Sequence, residues 1–287
     1  MDPATPVTEL ARLAQSADCP LKARATRIRR LSLEMVTRAR ASHIGSALSI
    51  ADIVAVLYGE VMRYDAADPA WPDRDRLLLS KGHACVAIYA ALGDAGFFPV
   101  EQLEAYGRDG SVFMNHISHK VPGVEFSTGS LGHGLPFGTG KALAAKRQGR
   151  DWRTFVLLGD GEMAEGSNWE AMMFAAHHQL DNLIGIIDYN KLQSITTVAK
   201  TLGLEPLADK IAAFGWSVRE IDGHDHRAIA DALGAAPWEQ GKPSMLIAHT
   251  IKGKGVSFME DQVAWHYRNP SDEHLALALS ELGQADA

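Results

Sequence analysis

Thr154-Phe155-Val156-Leu157-Leu158 runs straight into Gly159-Asp160-Gly161. A run this short and apolar, closed by glycine, reads as a strand covered on both faces. The same rhythm repeats on its C-terminal side. Asn168 to Gln179 is helical, and Leu183-Ile184-Gly185-Ile186-Ile187 is a second buried strand ending in Asp188-Tyr189-Asn190. A short helix from Leu207 to Phe214 precedes a third strand, Trp216 to Ile221. Arg227 to Leu233 is helical, and Ser244 to Ala248 is a fourth strand. Strands alternating with helices of this length imply right-handed crossovers and parallel pairing. The expected fold is α/β, a doubly wound, mostly parallel sheet with helices on both faces.

On the N-terminal side, residues 1–20 read as an irregular surface arm and residues 21–287 as one domain. Ile28, Leu31, Met35 and Val36 recur at helical spacing between Leu21 and Arg40, giving an amphipathic helix with a basic outer face. A second helix is expected at about 50–63, ahead of Asp68-Pro69 and Trp71-Pro72, and a buried one from Ala84 to Leu92. Residues 106–140 are rich in Gly, His, Ser and Pro with little periodicity. Irregular segments this long inside a domain are usually functional.

Composition narrows the function. The net charge of −7, from 28 basic and 35 acidic residues, argues against nucleic acid or an anionic membrane as the main partner. No apolar run approaches the roughly 20 residues of a membrane span. Met1-Asp2-Pro3 lacks the basic start of a secretory signal. Cys19 and Cys85 form no CxxC pair and suit free thiols in a reducing cytoplasm.

Open parallel sheets bind ligands at the carboxyl ends of their strands. If the first two strands are neighbours, the Asp160 carboxylate and the Asn190 carboxamide lie over one crevice. Two hard oxygen ligands with open positions suit Mg²⁺, which completes its octahedron with phosphate oxygens and water. Gly161 lets an anion approach backbone N–H groups. Taken singly, an Asp-Gly or an Asn after a strand is ordinarily a turn or cap residue. Other phosphate motifs fail. Five residues separate Gly134 from Gly140-Lys141, and Ala142 stands where a P-loop needs Ser or Thr. Gly132-His133-Gly134 runs on into Leu135-Pro136-Phe137, so the dinucleotide fingerprint is absent too.

Gly159-Asp160-Gly161, with Asn190 thirty residues past the Asp, resembles the thiamine-diphosphate signature. Gly159-Asp160-Gly161-Glu162-Met163-Ala164-Glu165-Gly166 and Ile187-Asp188-Tyr189-Asn190-Lys191 are similar to transketolases, and the resemblance runs from about residue 25 to 270. It implies a PP-type domain whose Mg²⁺ (Ca²⁺ or Mn²⁺ could substitute) is held by Asp160, Asn190 and the Leu192 carbonyl. Tyr189 stands where the family often has a further Asn. Glu165 matches an acid at the interface between cofactor-binding domains.

Four of the twelve histidines match histidines that transketolases place around the diphosphate and the sugar: His43, His83, His116 and His266. The resemblance implies that His83 and His266 touch the diphosphate, with His43 and His116 facing the donor ketose. Imidazole titrates in the range such proton transfers need. Gly129-Ser130-Leu131 matches the backbone that approaches the cofactor rings. His133 stands where the family more often has Gln, which leaves its role open. His119, His177, His178, His224, His226 and His249 are expected to be structural.

The family's activating Glu for the pyrimidine comes from a second α/β domain, and no second sheet pattern follows before Ala287. The resemblance therefore implies a subunit that transfers a two-carbon ketol unit between small-molecule sugars. Its partner would carry the pyrimidine-binding and C-terminal domains, in an α2β2 assembly self-associating through the cofactor domain. Rival readings are the α-subunit of an oxo-acid dehydrogenase, a deoxyxylulose-phosphate-synthase-like protein, and a catalytically silent regulatory subunit. Donor and acceptor stay unspecified.

Overall fold

The computed structural model describes residues 21–284; the expected N-terminal arm lies outside them. Five parallel strands form one sheet: β1 (Arg76–Leu79), β2 (Thr154–Gly159), β3 (Leu183–Tyr189), β4 (Ser217–Asp222) and β5 (Ser244–His249), in the order β1-β2-β3-β5-β4. Thr154 pairs with Leu183 and Gly159 with Asp188, so β2 and β3 are neighbours and end together.

Alternation along the strands divides the core. Leu77, Leu79, Phe155, Leu157, Ile184, Ile186, Leu246 and Ala248 face α1 (Leu21–Ala39), α2 (Ile44–Leu48), α3 (Ala51–Val56), α4 (Cys85–Asp94) and α9 (His226–Gly234). Leu78, Val156, Leu158, Leu183, Ile187, Met245 and Ile247 face α5 (Gly134–Arg147), α6 (Gly166–His177) and α8 (Leu207–Ala213). Placement follows handedness. Connections running from β1 to β3 and on to β4 cross on the α5–α6–α8 face, whereas the return from β4 to β5 crosses on the other, through α9. A one-turn helix α7 (Val198–Thr201) follows β3, and α10 (Asp272–Gln284) packs on α1.

Three expectations need correction. The basic outer face assigned to α1 is only partly outer. Arg27 and Arg29 are buried, held by Asp94 (2.7 Å) and by both oxygens of Asp52. Burial of two guanidiniums is tolerable because each meets a carboxylate. The helix expected at 50–63 is α3 plus a π-turn, Leu57–Val61. The irregular stretch 106–140 hides the start of α5, whose Pro136 falls in the first turn, where its missing N–H costs nothing. Gly138 of that helix packs so tightly on β2 that an added Cβ would sit 2.5 Å from Val156 Cγ2.

Candidate active site

A cavity of about 240 Å³ lies over the strand ends. Each wall comes from a different connection. The turn after β1 supplies Lys81 and His83, and the turn after β2 supplies Asp160, Gly161 and Glu162. Asn190, Leu192, Gln193 and Ser194 follow β3, and Lys252 follows β5. His43 enters from the turn before α2, His116, Gly129 and Leu131 from the long loop, and His266 and Tyr267 from the 3-10 turn Val263–His266. The long loop is pinned against β1: Thr128 Oγ1 donates to Leu79 O at 2.6 Å and Ile117 N to Gly82 O at 2.9 Å. Gly82 is required there, because a Cβ would lie 2.3 Å from Thr128 O.

Asp188, fully buried at the end of β3, organises the floor. It accepts from Lys81 Nζ, Thr250 Oγ1, Ser49 Oγ (2.7 Å) and Asn190 Nδ2 (2.9 Å). Burial alone would raise its pKa; Lys81 and these hydrogen bonds overcome that and hold it below the usual carboxylate range. Because the Asn190 amide must donate to a carboxylate, its flip is fixed and Oδ1 is the free acceptor, taking Leu192 N at 3.0 Å. Lys191 between them sits at φ 66, a left-handed turn uncommon for a residue with a side chain.

Asp160, 3% exposed, accepts from Gly161 N (2.7 Å) and Lys191 N. Burial first, and then the Asp188 charge, push its carboxyl up to about 7. A buried carboxylate in that state suits a cation. Leu192 O takes Lys252 Nζ at 3.2 Å, so this carbonyl is turned toward a cation donor. Among the described residues no three His, Cys, Asp or Glu side chains group as a metal-binding set. The donors at hand are instead one carboxylate, one carboxamide and one carbonyl, a hard-oxygen set that fits Mg²⁺ with its remaining positions left to phosphate and water.

The four histidines meet. His43 lies with ring centroids 5.1 Å from His83, 5.7 Å from His116 and 5.1 Å from His266. His43 itself holds φ 73, and its N–H donates to His266 O at 2.8 Å, which locks the two segments together. Burial, then His116 and Lys252, bring His43 down to about 4. Burial, then Lys252, His43 and Lys81, bring His266 down to about 3. His83 is held well below its ordinary value and His116 below it, in both cases chiefly by burial. All four are thus neutral at pH 7. Lys252, itself lowered to about 8 mainly by burial, donates to His266 Nδ1 at 3.0 Å and so leaves the proton of that ring on Nε2.

The structure brings Asp160, Gly161, Asn190, Leu192, Gly129, Leu131 and the four histidines to one cavity. Ser130 and Glu165 do not line it. Ser130 is exposed, and Glu165 is an exposed residue just ahead of α6 whose side chain makes no capping hydrogen bond. The acid that enters from this turn is Glu162, buried and accepting from Ser80 Oγ, Gly159 N (3.0 Å) and Gly132 N (3.2 Å). Lys81, Asp188, Glu162 and Lys252 escape a reading of the sequence alone. Their signal is adjacency, since Lys81 is two residues from His83 and Asp188 two from Asn190.

Fold and cavity define the class: a doubly wound α/β domain with its ligand site at the strand ends. Residues 21–286 match the transketolase thiamine diphosphate binding domain. A 6-deoxy-6-sulfo-D-fructose transketolase subunit from Clostridium sp. (strain MSTE9) is 42% identical over 268 residues, covering 93% of this chain and 98% of that protein. One of the subunits of an apulose-4-phosphate transketolase from Phocaeicola vulgatus is 41% identical, covering 89% and 91%. Transketolase from Leishmania mexicana superposes with a TM-score of 0.87 at 33% identity, covering 92% of this chain and 41% of that one. The chain belongs to the transketolase family, as its thiamine diphosphate binding domain. It spans about two fifths of the solved transketolase.

Proposed function

We propose that this chain is the cofactor-binding subunit of a two-chain transketolase, moving a two-carbon ketol unit from a ketose donor to an aldose acceptor. The convergence of Asp160, Asn190 and Leu192 O beneath four histidines carries this reading. When bound, thiamine diphosphate supplies the carbon nucleophile and electron sink for the transfer. The protein's own part is to bind, orient and move protons. Asp160, Asn190 Oδ1 and Leu192 O would hold Mg²⁺. His83, His266 and Lys252 would meet the diphosphate; Lys252 is bonded to backbone carbonyls and an imidazole, not a carboxylate, so its charge is available to an anion. Gly129-Ser130-Leu131 would offer backbone to the cofactor rings. His43 and His116 would face the sugar. His43 Nδ1 is engaged by Ser42 Oγ at 3.0 Å, so a proton from a sugar hydroxyl is exchanged at Nε2.

The domain runs from residue 21 onward. Its two named relatives act on a sulfo-sugar and a sugar phosphate, so we take the donor class to be an anionic sugar. The activating Glu is assigned to a second chain carrying the pyrimidine-binding and C-terminal domains, in an α2β2 assembly. Met173 (54% exposed) and Phe174 (44%), on the helix that Glu165 precedes, support α6 as part of the interface. Acidic charge and two cysteines fit the cytoplasm, and among the described residues no helix is long and apolar enough to cross a membrane. The test is ketol transfer by the purified chain, alone and with the second chain, with sedimentation of the mixture. Activity is expected only from the mixture, at two copies of each chain. Full activity from this polypeptide alone would overturn the proposal.

A further inference from the structure

A second buried polar cluster lies outside the cavity, where α1, α3 and the turn between β4 and α9 meet. Asp52, 4% exposed, receives two guanidinium nitrogens of Arg29 and, on Oδ2, Nδ1 of His224 at 2.7 Å. His226 Nε2 lies 3.0 Å from Oδ1, without the alignment of a hydrogen bond. With Asp52 ionised, the proton of the first contact belongs to His224 Nδ1, which leaves Nε2 as an acceptor. That acceptor is used: Ile251 N donates to it at 2.9 Å. Arg29 makes a second tether, donating from Nε to Lys254 O at 3.0 Å. Both tethers grip one short segment, and that segment presents Thr250 to Asp188 and Lys252 to Leu192 O and His266.

We propose that His224 is a positioning residue for the cofactor site. Held by Asp52 as the Nδ1–H tautomer, it fixes the Ile251 backbone and thereby the reach of Thr250 and Lys252. The proposal rests on reading the cavity as the thiamine diphosphate site and adds to it a residue that does not touch the cavity. His224→Phe removes both hydrogen bonds while filling the space. His224→Gln keeps a donor and an acceptor at similar separation. His226→Gln disturbs the same carboxylate without touching Ile251, so it reports what the cluster does for stability alone.

The experiment uses the full chain with Mg²⁺ and thiamine diphosphate as the probe, alongside ¹⁵N-histidine NMR and amide exchange. Expected are a His224 signal of the Nδ1–H form, faster exchange at Ile251 in His224→Phe only, and cofactor affinity about three- to tenfold weaker in that variant, the worth of one lost hydrogen bond. His224→Gln should bind within about twofold of the parent, its hydrogen bonds being retained. His226→Gln should shift the melting temperature and not the affinity. A His224 signal of the Nε2–H form or of the imidazolium overturns the proposal, as does parental affinity with parental Ile251 exchange in His224→Phe. Should the parent bind no thiamine diphosphate, the cofactor reading fails, and the tautomer together with Ile251 exchange still decides the role of His224.

Discussion

Asp188→Asn tests whether the floor of the site is an electrostatic unit. The carboxylate is 0% exposed and Lys81 2%, with the ammonium directly against Oδ2. Asparagine keeps the shape but removes the charge beneath Lys81, and only the Thr250 and Ser49 hydroxyls could accept from its NH₂, since Lys81 and the Asn190 amide nitrogen only donate. Breaking a buried pair by deleting one partner costs about 3–5 kcal/mol. At about 2–4 °C per kcal/mol for a chain of this size, the melting temperature should fall by roughly 6–20 °C. Adding Lys81→Met removes the orphaned charge, and most of the stability should return, because an apolar replacement of a buried pair is near neutral. Cofactor affinity should not return with it. Asn190 has lost the acceptor that fixes its amide, and loss of such an outer partner lowers metal affinity on the order of 10- to 100-fold. Calorimetric melting of both variants, with magnesium-dependent cofactor titration, separates the two effects. A single variant melting within about 2 °C of the parent, worth under 1 kcal/mol, would refute the reasoning.

Other outcomes follow from the same geometry. His43→Ala or His116→Ala should lower turnover by on the order of 10²- to 10⁴-fold in the reconstituted pair while leaving cofactor affinity nearly unchanged; full rate at low donor concentration would make them bystanders. His43 and His266 titrate in the folded chain at about 4 and about 3, against about 6.5 when unfolded. The unfolded chain therefore binds more protons over that interval, and this contribution to stability is complete above about pH 6.5 and lost as pH falls through about 4 for His43 and about 3 for His266. His43→Gln should flatten the fall of melting temperature across that window, and an unchanged slope would contradict the burial of its ring. Ser49→Ala removes one acceptor contact of Asp188 and should cost about 1 kcal/mol by denaturant unfolding, with a value near zero showing that the remaining donors suffice.

The strands that position the site are legible because β2, β3 and β5 are apolar on both faces, and a run such as Leu183–Ile187 has few other readings. β1 is not, being four residues long and wedged between Pro72 and the Lys81-Gly82 turn. The start of α5 looks like loop because Gly134, Pro136, Gly138 and Gly140 fall within seven residues. Tertiary packing demands that composition, with Gly134 against Ser80 and Gly138 against Val156. For the site, Asp160 and Asn190 are readable as strand-end oxygens, and the histidines only through family likeness. Asp188 shows in one dimension only through its closeness to Asn190, and Lys252 not at all. Their meaning lies in partners 107 and 14 residues away: the sheet brings Lys81 to Asp188, and the segment after β5 folds back to bring His266 to Lys252.

Titration calorimetry of thiamine diphosphate into the purified chain bears most directly on the assignment of Asp160, Asn190 and Leu192 O to the metal. Each offers a single oxygen arm, so cation and diphosphate should bind only together. Binding is expected in Mg²⁺, and should be lost both in excess EDTA and in Asp160→Ala, whose circular dichroism should remain that of a folded sheet. Equal affinity in EDTA and in Mg²⁺ would contradict the account.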